Sequence, residues 1–222
     1  RPLSVASFAI EYELWGFKPG ISHFINVLIY TFLCLLLFNT LLRIEAFFGI
    51  RENREKIAFF ESLVFIAHPV HTEVVANLKG RDELLAVFFF LCALNLVVQS
   101  IEKKSPAISL CAGVSVFAGL LAKENVLFIW PVLPVMIFLS PMKQPLKRFL
   151  PVVIMLVGGT VAYLAIRAAA VGGLSAPGSG ELMNNPYLYA TASQKYATIL
   201  YTLLIYLKLL FIPHPLTYDY YP

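Results

Sequence analysis

Long apolar runs alternate with short polar interruptions along this chain. Seven apolar segments stand out, at 22–43, 57–70, 83–99, 107–122, 126–140, 149–171 and 196–212. Their apolar residues are continuous rather than alternating, which predicts helices and argues against barrel strands. The longer segments match a bilayer hydrocarbon core about 30 Å thick. The pattern therefore predicts an all-α, polytopic membrane bundle forming a single transmembrane domain over 1–222, with some segments short or re-entrant.

The short segments carry most of the information. At about 1.5 Å per helical residue, a run the length of 57–70 covers only about 20 Å. The polar residues after it should then sit below the membrane surface. Segments 107–122 and 126–140 are also short, and only Lys123-Glu124-Asn125 separates them. Two inward-dipping polar loops predict a recessed polar cavity. Segment 196–212 reads either as a span or as an interfacial helix, since Tyr196, Tyr201 and Tyr206 suit the headgroup level. Gly172–Gly180 reads as a flexible, lid-like loop. No internal repeat is visible.

Composition agrees with a membrane class. The 222 residues are 59% hydrophobic and 14% charged, against about a quarter charged in soluble domains. The net charge of +4 is modest and gives no reason to expect a nucleic-acid partner. The charge distribution does more. Arg43, Arg51, Arg54, Lys56, Lys103, Lys104, Lys143, Lys147 and Arg148 share alternate loops, which places those loops in the cytoplasm. The other loops then face a periplasm or an endoplasmic reticulum lumen. Cys34, Cys92 and Cys111 lie inside apolar runs and read as buried free thiols.

One interruption is far richer than the rest. His68-Pro-Val-His71-Thr-Glu73-Val-Val-Ala-Asn77-Leu-Lys79-Gly-Arg81-Asp82-Glu83 sets two imidazoles, three carboxylates and two cations between apolar runs. Ionisable groups are costly at membrane depth, so such a cluster is a functional-site hypothesis. Glu73, Asn77 and Arg81 are four apart and would share one face of a continuous helix, with Asp82 capping the next. On that reading Arg81 grips a phosphate and Glu73 orients a hydroxyl or holds Arg81. The competing reading is a self-satisfied ion pair between helices.

The remaining polar groups keep two readings each. His68 and His71 either bond a sugar or phosphate or form a structural turn; Pro69 between them works against a shared metal, and no standard third ligand follows. No cofactor is called for, and a divalent metal finds no support beyond that pair. Lys123, beside Glu124, is either a phosphate ligand or a snorkelling lysine. Arg167, about one turn from the end of its segment, either completes a phosphate site or snorkels. Glu61 reads as a buried, hydrogen-bonded carboxylate. Glu11 and Glu13 either border the cavity or lie at the interface. The terminal Tyr218-Asp219-Tyr220-Tyr221 stacks on a sugar or belongs to an aromatic belt. There is no phosphate-cradling glycine loop or nucleotide fingerprint, which argues against a nucleotide-sugar donor in a Rossmann fold.

The run His68 to Ala86 (HPVHTEVVANLKGRDELLA), followed by Leu121-Ala-Lys-Glu-Asn125, resembles the membrane region of the TMTC family, the transmembrane O-mannosyltransferases targeting cadherins. It looks most like bacterial relatives in which that region precedes tetratricopeptide repeats. Arg1-Pro-Leu-Ser-Val-Ala-Ser-Phe8 and Pro215-Leu-Thr-Tyr-Asp-Tyr-Tyr-Pro222 fit the same pattern. The resemblance implies a GT-C-type fold and a hexose, mannose above all, passed from a polyprenyl-phosphate donor to a protein hydroxyl on the non-cytoplasmic face. It implies that His68, His71, Glu73, Asn77, Arg81, Asp82, Glu83, Lys123, Glu124 and Arg167 contribute to the donor phosphate and sugar site. It also implies a catalytic carboxylate on a loop before Arg1, and repeats after Pro222, so that the chain is expected to be a fragment. A bacterial inner membrane is the expected location, with the endoplasmic reticulum as the alternative. The rival is a non-enzymatic membrane module, either a lipid-phosphate transporter or an anchor for a repeat domain.

Overall fold

The computed structural model describes residues 1–140, 146–171, 187 and 189–216. Among the described residues the chain is helical and has no strand. In order come α1 (Pro2–Trp15), α2 (Pro19–Phe47), α3 (Arg54–Ala67), α4 (His71–Ala76), α5 (Arg81–Lys103), α6 (Pro106–Ala122), α7 (Ile129–Leu139), α8 (Leu150–Val171) and α9 (Ala192–Phe211). Short 3-10 turns occupy Leu78–Gly80, Glu124–Phe128 and Leu146–Arg148. Among the described residues, three stretches are long and apolar enough to cross a membrane: Pro19–Phe47, Leu78–Lys103 and Leu150–Val171. This is a helical membrane-type fold.

Local signals account for the boundaries. Prolines open α1, α2 and α6, where a missing N–H costs no intrahelical bond. Lys104 ends α5 in the left-handed region, and the Ser105 hydroxyl then caps α6 by accepting from Ile108 N. Those two residues let α5 and α6 pack as antiparallel neighbours.

The chain divides into two compact units, Arg1–Ala67 with His71–Ile166, and His68–Val70 with Arg167–Pro222. In the first unit α5 is central. It packs against α2 and α6, while α1 lies against α5 and α6, and α3 against α2. Val97, Val98, Ala112, Val116, Leu120, Val126, Ile129, Val152 and Leu156 form its core. A Cβ on Gly159 would stand 2.3 Å from the Gly113 carbonyl oxygen, so α6 and α8 pack backbone to backbone there.

Polarity along much of α2 is inverted relative to a helix of a soluble protein. The buried positions of α2 include Ser22, Asn26, Leu33, Thr40 and Phe47, and the last four are spaced by sevens. Its Phe24, Val27, Leu28, Phe32 and Leu35 face outward. So much exposed apolar surface suits hydrocarbon rather than water.

In the second unit, Thr191 and Gln194 form a reciprocal capping box at the start of α9. Lys195 Nζ stands 5.9 Å from the ring centroid of Tyr187.

Residues 2–15 form a helix, α1, outside the seven apolar segments. Two expectations need correction. Glu61 is exposed, and the buried carboxylate in this neighbourhood is Glu45. The cysteines are free but half-buried (Cys34, Cys92) or exposed (Cys111), because apolar runs here face outward as often as inward. The Gly172–Gly180 loop, Lys143 and Tyr218–Tyr221 lie outside the described residues.

Candidate functional site

The polar cluster sits where α1, α2, α4 and the start of α5 meet. Helix α4 stops at Ala76; Asn77 then caps the 3-10 turn by accepting from Lys79 N at 3.0 Å. Gly80 fits under the turn, since a Cβ there would stand 2.2 Å from the Val74 carbonyl oxygen. Residues 73–81 are therefore not one continuous helix, and Glu73, Asn77 and Arg81 do not share a face. Glu73 is exposed, Asn77 half-buried and Arg81 fully buried.

Arg81 organises the interior of this end. Its Nη1 is 2.8 Å from Glu11 Oε2 of α1. Its Nε donates to Asn26 Oδ1 at 2.8 Å, and its Nη2 donates to the Ser22 carbonyl at 3.1 Å. Nη1 also donates to Ser7 Oγ at 3.4 Å, and the guanidinium carbon lies 3.9 Å from the centroid of the Phe8 ring. Asn26 extends the network by donating from Nδ2 to the Asn77 carbonyl at 3.3 Å. The Ser22 hydroxyl donates to Glu11 Oε1. Burial raises the Glu11 pKa, but the Ser22 hydroxyl and the Arg81 guanidinium outweigh it and hold the carboxyl below its ordinary value.

Arg81 makes the ion pair between helices that was one of its two readings. At 0% exposure its fork is committed to Glu11, Asn26, Ser22 and Ser7, so it clamps α1 and α2 onto α5. Asp82 is not a helix cap. It lies inside the first turn of α5, buried, pairs with Arg1 and accepts from Glu83 N at 2.8 Å.

A second, more open network joins the two clusters that lie forty residues apart in sequence. Lys123 Nζ pairs with Glu83, and Asn125 Nδ2 donates to the other Glu83 oxygen at 3.1 Å. The Lys123 and Glu83 side chains retain 18% and 31% exposure. Tyr163 of α8 donates to Glu124 Oε1 at 3.4 Å. Glu83, Lys123, Glu124 and Asn125 are thus brought together at one end of the α5–α6 pair.

The histidines go different ways. His71 is half-buried between the rings of Phe65 and Tyr30, at 4.2 and 6.1 Å between centroids. In the second unit, His68 Nδ1 accepts from Val70 N at 3.3 Å and Nε2 lies 3.1 Å from the Leu210 carbonyl, a pairing met by the Nε2–H tautomer. The half-buried Arg167 also belongs to the second unit. Among the described residues no group of three His, Cys, Asp or Glu could hold a metal ion.

Sequence reasoning missed Ser7, Phe8, Ser22 and Asn26, and left Glu11 undecided. The available signal was the spacing Ser4, Ser7, Phe8, Glu11, which is one helical face with the polar side turned inward.

The chain is 31% identical to the Protein O-mannosyl-transferase F38B6.6 of Caenorhabditis elegans over 222 residues, 99% of this chain. It is TMTC-like. Shorter matches agree: Tmtc3 of Drosophila melanogaster, 32% identical over 56% of this chain, and TMTC1 of Mus musculus, 36% over 46%. The TMTC-like chain spans 30% of the length of the worm protein, 16% of the fly protein and 10% of the mouse protein. No protein-family model matches it, and no solved structure does.

Proposed function

We propose that this TMTC-like chain is the membrane part of a glycosyltransferase that moves a hexose, mannose in the first instance, from a polyprenyl-phosphate donor to a protein hydroxyl on the non-cytoplasmic face. The observation that carries the reading is the match to a protein O-mannosyl-transferase over 99% of the chain. The Glu83–Lys123–Asn125 group, paired yet part-exposed, supports it. So does the cation-rich character of the opposite loops, under the positive-inside rule. A bacterial inner membrane, with the site facing the periplasm, is one setting, and an endoplasmic reticulum membrane, with the site facing the lumen, is the other.

In the reaction, a carboxylate takes the proton of the acceptor hydroxyl. The acceptor oxygen bonds to the sugar's anomeric carbon as the bond from that carbon to the phosphate oxygen breaks. Polyprenyl phosphate leaves with the electron pair. We assign Lys123 the task of meeting the phosphate, which displaces Glu83 from its ammonium group. Glu83 and Asn125 hold Lys123 in place beforehand. His71, Glu73 and Asn77, with Asp82 and Glu124, shape the donor and acceptor surroundings; Arg81 acts through them as a positioning residue. An apolar groove of about 440 Å³ between α2 and α3, lined by Tyr30, Cys34, Phe38, Phe59 and Ile66, suits the isoprenoid chain. Tyr30 links that groove to His71.

The test is mannosyl transfer by the full-length protein in membranes, from radiolabelled polyprenyl-phosphate mannose. K123A should lose about 10²-fold in rate while inserting normally, the cost of one charge-stabilising donor. Absence of any hexose transfer by the unmodified protein would overturn the reading in favour of a non-enzymatic membrane module.

A further inference from the structure

At the opposite end of α5 lies a cavity of about 200 Å³ lined by Ser100, Lys104, Ser105, Pro106, Ser109, Lys147, Arg148 and Pro151. It is roughly 30 Å from Glu83 at about 1.5 Å per helical residue. Three of its lining residues are cationic and none is a carboxylate. The adjacent Glu102 is engaged elsewhere, 3.3 Å from Arg43 Nη1. Helices α6 and α8 both begin here, so two helix dipoles add their positive ends to the cations. The Ser100 and Ser109 hydroxyls, 2.6 Å apart, supply a neutral hydrogen-bonding wall.

The surroundings define what kind of anion fits. Helix α8, whose Pro151 lines the cavity, also carries Leu150, Ile154, Val157 and Val161, exposed by 57%, 53%, 42% and 56%. Their spacing of four, three and four puts them on one face of a membrane-crossing helix. A ligand with a phosphate at one end and acyl chains at the other satisfies both features, whereas a free phosphate uses only the first.

We infer that this cavity binds the phosphate headgroup of an anionic membrane lipid, with its acyl chains along the outer stripe of α8. The site is separate from the proposed transferase site and does not depend on that reading. Juxtamembrane cations attract anionic headgroups strongly enough that losing three of them should cost well over tenfold in affinity.

The experiment is native mass spectrometry of the full chain released from micelles containing equal phosphatidylglycerol and phosphatidylcholine. The unmodified protein should retain phosphatidylglycerol preferentially, by about tenfold or more. K104Q/K147Q/R148Q should lose that preference, while R51Q/K56Q/K103Q, which removes equal charge outside the cavity, should keep it. Equal retention of the two lipids by the unmodified protein overturns the inference, with no variant needed. So does equal loss in both triple variants, which reduces the effect to net charge. Displacement of the lipid by millimolar inorganic phosphate overturns the lipid assignment and makes the site one for free phosphate.

Discussion

Arg81 of α5 and Glu11 of α1 form an ion pair at 2.8 Å with 0% and 7% of their side chains exposed. A pair this dry is held by its geometry: the guanidinium has further acceptors in Asn26 and Ser22, and the carboxylate a further donor in Ser22. Removing one partner strands a buried charge, which costs about 3–5 kcal/mol. R81A and E11A should each lose that much in equilibrium unfolding from detergent micelles. R81M/E11L should recover much of it, because neither charge is then left alone. A double variant as unstable as the sum of the two single ones would show that the pair is not coupled.

The lowered pKa of Glu11 sets a pH dependence. A depressed carboxylate contributes stability that is fully present above its ordinary value of 4.5 and is lost as pH falls through the folded value. Hydrogen exchange along α1 should therefore accelerate as pH falls below 4.5, while helices remote from Arg81 stay protected. In E11Q the acid-dependent acceleration of α1 should disappear, leaving a weaker but pH-independent attachment. Unaltered acid dependence in E11Q would assign the effect to another group.

Glu83 and Lys123 should behave differently, because both keep contact with solvent. Part-exposed pairs are worth about 1 kcal/mol or less. A double-mutant cycle with E83Q and K123M should give a coupling in that range by thermal unfolding. The same substitutions should cut hexose transfer far more than stability. A coupling above about 3 kcal/mol would mark the pair as structural and weaken the role proposed for Lys123.

The helices were legible in the apolar runs because hydrocarbon selects for continuous apolar stretches, and α5, α6 and α8 begin and end within a few residues of the segments read. Helix α1 was not, because its inward face carries Ser4, Ser7 and Glu11 and reads as polar coil. The two polar clusters were legible as anomalies, but the pairing of Glu83 with Lys123 spans forty residues and follows from how α5 and α6 pack. The inward placement of Arg81 was not legible, for a local reason. Four-residue spacing from Glu73 implied one helix face, whereas the turn at Asn77 and Gly80 rotates Arg81 inward.

That turn supplies the last prediction. Gly80 has an ordinary negative φ of −65°, so its requirement is space rather than conformation. A methyl group there would stand 2.2 Å from the Val74 oxygen and 2.9 Å from its carbonyl carbon, both backbone atoms of α4 that cannot rotate away. G80A should therefore push α4 from the start of α5 and strain the contacts that Arg81 and Asn77 make with Asn26. Overpacking of this kind costs about 1–3 kcal/mol. Gly158 in α8 is the matched control, since a Cβ there meets nothing within 4 Å. G158A should be neutral or stabilising, because alanine is favoured over glycine inside a helix by about 1 kcal/mol. Unfolding midpoints of the two variants should move in opposite directions, or G80A alone should fall. If G80A unfolds like the unmodified protein, the turn has room to relax and the inward placement of Arg81 does not depend on that glycine.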